Sequence, residues 1–184
     1  MKILIACEFS GIVRDAFIAM GCDAISCDLL PSERPGPHIQ DDVLSHLTEN
    51  WDIMIAHPPC THLATSGARW FKYKEKEQLE ALDFVKTLLS APIKRIALEN
   101  PISIISTRIR KPDQIVHPWW FGCGEKKSTC LWLKNLPLLK PTCIVNGRKP
   151  RIHMMPDTKN RWKNRSRTYQ GLANAMAEQW SNVD

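Results

Sequence analysis

The chain lacks any apolar run near the roughly 18 to 20 residues that a membrane span requires, which excludes a helical membrane protein. It also has no visible internal repeat or low-complexity tract, so a solenoid or a tail-like disordered chain is not expected. Its N-terminal stretch MKILIACEF is too short, and too soon interrupted by Glu8, to read as a signal peptide, so the expected compartment is the cytoplasm. Glycine is scarce, 8 residues in 184, and the first candidate strand-to-helix turn, EFSG, contains only one. That is not the glycine fingerprint of a dinucleotide site. Cysteine is not lacking, but seven is an odd number, and without an export signal reduced thiols are the natural reading. The spacings of Cys22 to Cys27 and Cys123 to Cys130 miss the usual zinc-knuckle interval, so no metal is expected. Cys123, Cys130 and Cys143 read as buried or partly buried thiols.

What is present suits one globular domain spanning 1–184, with 43% hydrophobic and 24% charged residues around a single core. Continuous apolar runs suggest strands buried on both faces at 2–7, 23–30, 51–56 and 94–100, with a further strand at 128–133. Amphipathic stretches predict helices between 8 and 21, where Ile12, Ala16, Phe17 and Met20 share helical spacing, and at 75–90 and 171–180. The proline-bearing segment 31–42 reads as irregular loop. Strands alternating with helices predict a doubly wound, Rossmann-like α/β sheet, and ligands bind such sheets outside the carboxyl ends of the strands. Glu8 to Gly11, Asp28, Asp41 or Asp42, His57 to Cys60 and Glu99 to Pro101 should therefore line one crevice. Asp28, about twenty residues past the first turn, stands where an acid accepts hydrogen bonds from ribose hydroxyls.

His57-Pro58-Pro59 must end its strand, because proline cannot donate to a β ladder, and Cys60 is thereby presented to the crevice. A thiolate adds to an electron-poor carbon, and a carboxylic acid with a pKa raised by burial donates a proton to the same substrate. Cys60 and Glu99 fit those two roles. His57 and His62 read as turn residues, and the aromatics of VHPWWFG (116–122) as a small core. The net charge of +6 is concentrated between 146 and 167, where Arg148, Lys149, Arg151, Lys159, Arg161, Lys163, Arg165 and Arg167 face one acid, Asp157. A patch of that kind attracts phosphates.

Together these residues resemble the DNA cytosine-5 methyltransferase family. Phe9-Ser10-Gly11 is similar to its Phe-x-Gly turn, Asp28 to its ribose-binding acid, and Asp42 (or equally Asp41) to its adenine-contacting acid. Pro59-Cys60 with Gly67 seven residues on resembles the nucleophile motif, Arg69 follows where a basic residue is frequent, and Glu99-Asn100-Pro101 resembles Glu-Asn-Val. YQGLANAM (169–176) is similar to the last motif, although Gly171 and Asn174 are separated where the family has the pair adjacent. Thr61 and Ala64 also depart from the family's Gln and Ser. The basic motif falls on Lys126 and Lys127, or alternatively on Arg108 and Arg110. The resemblance implies a sheet of the S-adenosylmethionine-dependent methyltransferase type. It implies Phe9, Ser10, Gly11, Asp28, Asp42, Pro58 and Asn174 at the cofactor, and Cys60, Glu99 and Lys127 in catalysis. It places Arg69, Lys126, Arg161, Lys163 and Arg165 on DNA. Segment 134–168, short, basic and proline-containing, stands in place of a target-recognition domain, so specificity is expected to be short-site or supplied by a protein partner. Two alternatives stay open: the same fold acting on a free pyrimidine nucleotide or RNA, and a non-catalytic nucleic-acid binder.

Overall fold

The computed structural model describes residues 1–152 and 154–183. One seven-stranded sheet carries β1 (Lys2–Ala6), β2 (Asp23–Asp28), β3 (His38–Gln40), β4 (Ile53–Ala56), β5 (Arg95–Asn100), β6 (Gln114–Val116) and β7 (Thr129–Lys134) in the order β3-β2-β1-β4-β5-β7-β6. The first five strands run parallel, and β7 is inserted antiparallel between β5 and β6. The helices are α1 (Ile12–Ala19), α2 (Glu75–Leu89), α3 (Ile105–Arg108), α4 (Arg161–Ser166) and α5 (Gln170–Trp180).

The two-residue period of a strand divides the core. Ile3 and Ile5 of β1, Ile53 and Ile55 of β4 and Ala97 of β5 face a layer that includes Phe17 of α1 and Met176 and Trp180 of α5. Their alternates Leu4, Met54, Ile96 and Leu98 face Leu82, Val85 and Leu88 of α2, together with Ile105 of α3. Burial on both faces is why these strands read as unbroken apolar runs. The result is the doubly wound, Rossmann-like α/β domain expected from the strand rhythm.

Segment 31–42 departs from the expected loop. Its prolines, Pro31, Pro35 and Pro37, all precede β3 and leave its ladder intact, and His38 ties the strand down through Ser26 Oγ (2.8 Å) and the Leu30 carbonyl (2.9 Å). Arg14, fully buried, organises the approach by donating to Ser32 Oγ at 3.0 Å and the Pro35 carbonyl at 3.0 Å. Met20 caps α1 and is exposed rather than facing the core. All seven cysteines are unpaired, and Cys143 is exposed, where a buried or partly buried thiol was expected. Trp120 and Phe121 join the core as expected, while Trp119 stacks on His117 and lies 3.7 Å beneath the Arg148 guanidinium.

Candidate active site

The carboxyl ends of β1, β2, β4 and β5 open onto a cavity of ≈ 840 Å³. Because β7 is antiparallel, its amino-terminal end lies beside the carboxyl end of β5, with Asn100 opposite Cys130. Lys126, Lys127 and Ser128 therefore enter the same wall. That placement favours the Lys126-Lys127 alternative for the basic motif over Arg108 and Arg110, which do not line it.

Cys60 lines the cavity, held behind Pro58-Pro59, whose Pro58 carbonyl accepts a 2.9 Å bond from Asn100 Nδ2. Burial pushes its thiol up; the Lys127 ammonium opposes this, and the Glu99 carboxylate adds to it. Glu99, expected in the crevice, does not line this cavity: its side chain, 18% exposed, borders a water-sized space of ≈ 20 Å³ shared with Lys127, Thr129 and Tyr169, and Lys127 lines both. Both carboxylate oxygens are engaged: Oε2 lies 3.1 Å from His57 Nδ1, and Oε1 accepts from the Thr129 hydroxyl. Burial alone would raise the Glu99 pKa, but the hydrogen bonds from His57 and Thr129 and the charges of His57 and Lys127 bring it below the ordinary carboxylate value. The expectation of a raised carboxyl pKa is therefore reversed, because its buried neighbours are donors and cations. His57 is not the simple turn residue read from the sequence; it is the carboxylate's partner across 42 positions, a separation no local pattern could announce. Lys127 Nζ is anchored 2.7 Å from the Arg165 carbonyl and lines both spaces.

At the other end, Phe9, Ser10 and Asp28 line the cavity. Glu8 is buried and accepts from the amides of Val13 (2.8 Å) and Arg14 (3.2 Å) and from Ser10 Oγ (2.9 Å). The chain's own carboxylate thus satisfies the start of α1. Gly11 adopts φ 72°, and a Cβ there would meet Arg14 Nη2 at 2.5 Å; it shapes the turn without lining the cavity. Asp28 has its pKa raised, chiefly by burial, although Oδ1 accepts a 2.9 Å bond from the Leu30 amide.

The remaining expected cofactor residues fall elsewhere. Asp42 is exposed and caps a short 3₁₀ turn through a 3.0 Å bond from the Leu44 amide, and Asp41 is occupied by the Asp42 amide and His46. Both follow β3, the strand the sequence hid, and neither lines the cavity. The Pro58 ring is buried and outside the wall. Asn174 is exposed on α5, paired with Gln170. Gly171 answers to packing: a Cβ would stand 1.7 Å from the Phe121 carbonyl oxygen. Of the basic residues, Arg69, Lys126 and Arg165 line the cavity, whereas Arg161 and Lys163 sit on α4 beside it. Segment 134–168 folds back on the domain, and Arg167, near its end, makes a paired 2.8 Å contact with Glu33. Trp162, unremarked in the sequence, lines the cavity and packs 6.1 Å from the Phe9 ring.

The cavity volume falls in the roughly 300 to 1,000 Å³ range of small-molecule sites, and it joins a carboxylate at a β2 end to an aromatic after β1. Asp28 offers an acceptor for ligand hydroxyls and Phe9 an apolar wall. Among the described residues no cluster of three or more His, Cys, Asp or Glu side chains is suited to a metal ion, and no helix is long and apolar enough to cross a membrane.

No protein-family profile matches the chain, and no curated protein matches it in sequence. One solved structure that aligns with part of the chain is named as a putative DNA modification methyltransferase encoded within an Escherichia coli prophage. The two share 13% identity with a TM-score of 0.48, covering 86% of this chain and 56% of that one. The chain spans little more than half the length of that protein, so the functional reading rests on the site.

Proposed function

We propose that the chain transfers a methyl group from S-adenosylmethionine to carbon 5 of cytosine in DNA, through a covalent Cys60 adduct. The observation that carries this reading is that Lys127 lines both the cavity holding Cys60 and His57 and the small space holding Glu99, with His57 hydrogen-bonded to Glu99 between them. Cys60 sulfur forms a bond to cytosine carbon 6 as a proton is delivered to ring nitrogen 3 from Glu99, so the ring's electron pair moves to carbon 5. S-adenosylmethionine, when bound, would supply an electrophilic methyl on a sulfonium and leave as the neutral thioether. Solvent takes the carbon 5 proton, Cys60 leaves as thiolate, and the ring nitrogen 3 proton returns to Glu99 as the aromatic ring is restored.

The resting protonation is the inverse of the reactive one: the thiol is held neutral by burial and Glu99 anionic by its donors. One proton must pass from the Cys60 side to the Glu99 side, without change in total charge. His57, hydrogen-bonded to Glu99 and lining the cavity, is placed to hold that proton in transit. Lys127 stabilises the thiolate when it forms.

The test is tritium transfer from labelled S-adenosylmethionine to unmethylated DNA, with Cys60→Ser and Glu99→Gln as controls. Incorporation should vanish in the serine variant and fall at least ~10²-fold in the glutamine variant. DNA carrying 5-fluorocytosine, whose carbon 5 cannot lose its substituent, should trap a covalent adduct in wild type alone. Cofactor binding with no adduct and no transfer would refute the reading and favour a non-catalytic binder.

A further inference from the structure

We propose that the mouth of the cavity is built to grip unpaired, single-stranded DNA, with exposed aromatic rings that stack on the nucleotides flanking the target base. On one lip, the 3₁₀ segment Thr65–Tyr73 presents Trp70, 52% exposed, with the Arg69 guanidinium 5.2 Å from its ring centre. Tyr73, 68% exposed, follows with Lys72 Nζ at 4.8 Å. From α4, Trp162, 54% exposed, lines the same cavity, with Lys163 Nζ at 5.6 Å. Trp70 and Trp162 line the same cavity as Cys60, together with the cations Arg69, Lys126 and Arg165.

Trp70, Tyr73 and Trp162 stay largely uncovered, each beside a cation. Their repeated pairing with cations around a positively charged cleft is the combination that holds single strands, because every base offers a π face and every nucleotide a phosphate. A duplex satisfies these rings poorly, since its bases already stack on one another. The helix that carries Trp162, α4, is six residues long, too short to read a groove. A single strand also spares the unpairing cost of flipping a base from a duplex.

The inference rests on the cytosine reading for the identity of the target base, and its test separates the two. Fluorescence anisotropy with the Cys60→Ser chain would compare one labelled, cytosine-containing oligodeoxynucleotide of about 10 to 15 residues as single strand, as annealed duplex and as RNA of the same sequence. The DNA single strand should bind at least ~10-fold more tightly than the duplex and quench tryptophan emission. Trp70→Ala and Trp162→Ala should each weaken it by roughly 5- to 100-fold, and Trp70→Phe and Trp162→Phe should recover most of the loss. Duplex bound as well as the single strand, affinity indifferent to both alanine variants, or tighter binding of RNA would each overturn the assignment. Methyl transfer to duplex with no single-strand preference would leave the proposed activity standing and sink this inference. Tryptophan-dependent single-strand binding with no transfer to any DNA would do the reverse.

Discussion

At the scale of single residues, the decisive pair is one whose pKa values are pushed apart. Cys60 is raised by burial and Glu99 lowered by His57, Thr129 and Lys127, so the gap between them exceeds that of an ordinary thiol and carboxylate. The reactive form, thiolate with protonated Glu99, carries the same number of protons as the resting form. Between the two pKa values its population does not vary with pH. The rate of methyl transfer should therefore be flat across the neutral range. It should fall below the Glu99 pKa, where both groups are protonated, and above the Cys60 pKa, where both are ionised. A single-turnover rate that climbs tenfold per pH unit through neutrality would show instead that thiolate formation alone limits the reaction. His57 acts through Glu99, and its loss should disturb positioning more than binding. His57→Asn should lower kcat by about 10²-fold and move the acid limb of the profile upward, because Glu99 loses the hydrogen bond at Oε2 that favours its ionised form. Calorimetry should find cofactor affinity unchanged.

At the scale of elements, the site exists because β7 runs against its neighbours. Reversal brings Lys126, Lys127 and Thr129 to the carboxyl end of β5, where a parallel strand would deliver its own carboxyl end. Helix α5 locks this arrangement from behind, its Gly171 pressed against the Phe121 carbonyl. A methyl group at 1.7 Å cannot be relieved by a side-chain rotation, because the obstruction is backbone. Gly171→Ala should cost roughly 1 to 3 kcal/mol of stability, seen as a lowered Tm, and should weaken activity through the Tyr169–Leu172 wall of the small space beside Glu99. An unchanged Tm would mean that α5 shifts freely, contrary to its packing on α1.

At the scale of the whole molecule, a chain of net charge +6 turns part of its excess toward one opening. Four cations, Arg69, Lys126, Lys127 and Arg165, line the cavity, so binding of a single strand should release counterions in proportion. The logarithm of the association constant should fall against the logarithm of salt concentration with a slope of roughly −3, and Arg165→Gln should reduce that slope by about 0.7. A slope near zero would place the phosphates away from this mouth. The basic stretch of the sequence is thus only partly a substrate surface: Arg167 is spent on Glu33 and Arg148 on Trp119.

Period, apolar runs and proline placement were enough to read the parallel strands β1, β2, β4 and β5, because strands buried on both faces must be continuously apolar whatever packs against them. The same local logic found Cys60 behind its prolines and Asp28 and Glu99 at strand ends. It missed β3, a three-residue strand held by His38 and a buried Arg14 from distant segments, and so put Asp42 in the crevice when it caps a turn outside it. Asn174 was misplaced for a related reason: the glycine of its motif answers to a backbone contact with Phe121, and the helix face carrying Asn174 points to solvent. Only the tertiary structure joined His57 and Thr129 to Glu99 and thereby reversed the sign of its pKa shift. Ionisation depends on the donors and charges gathered within a few ångströms, and chain order does not record which those are.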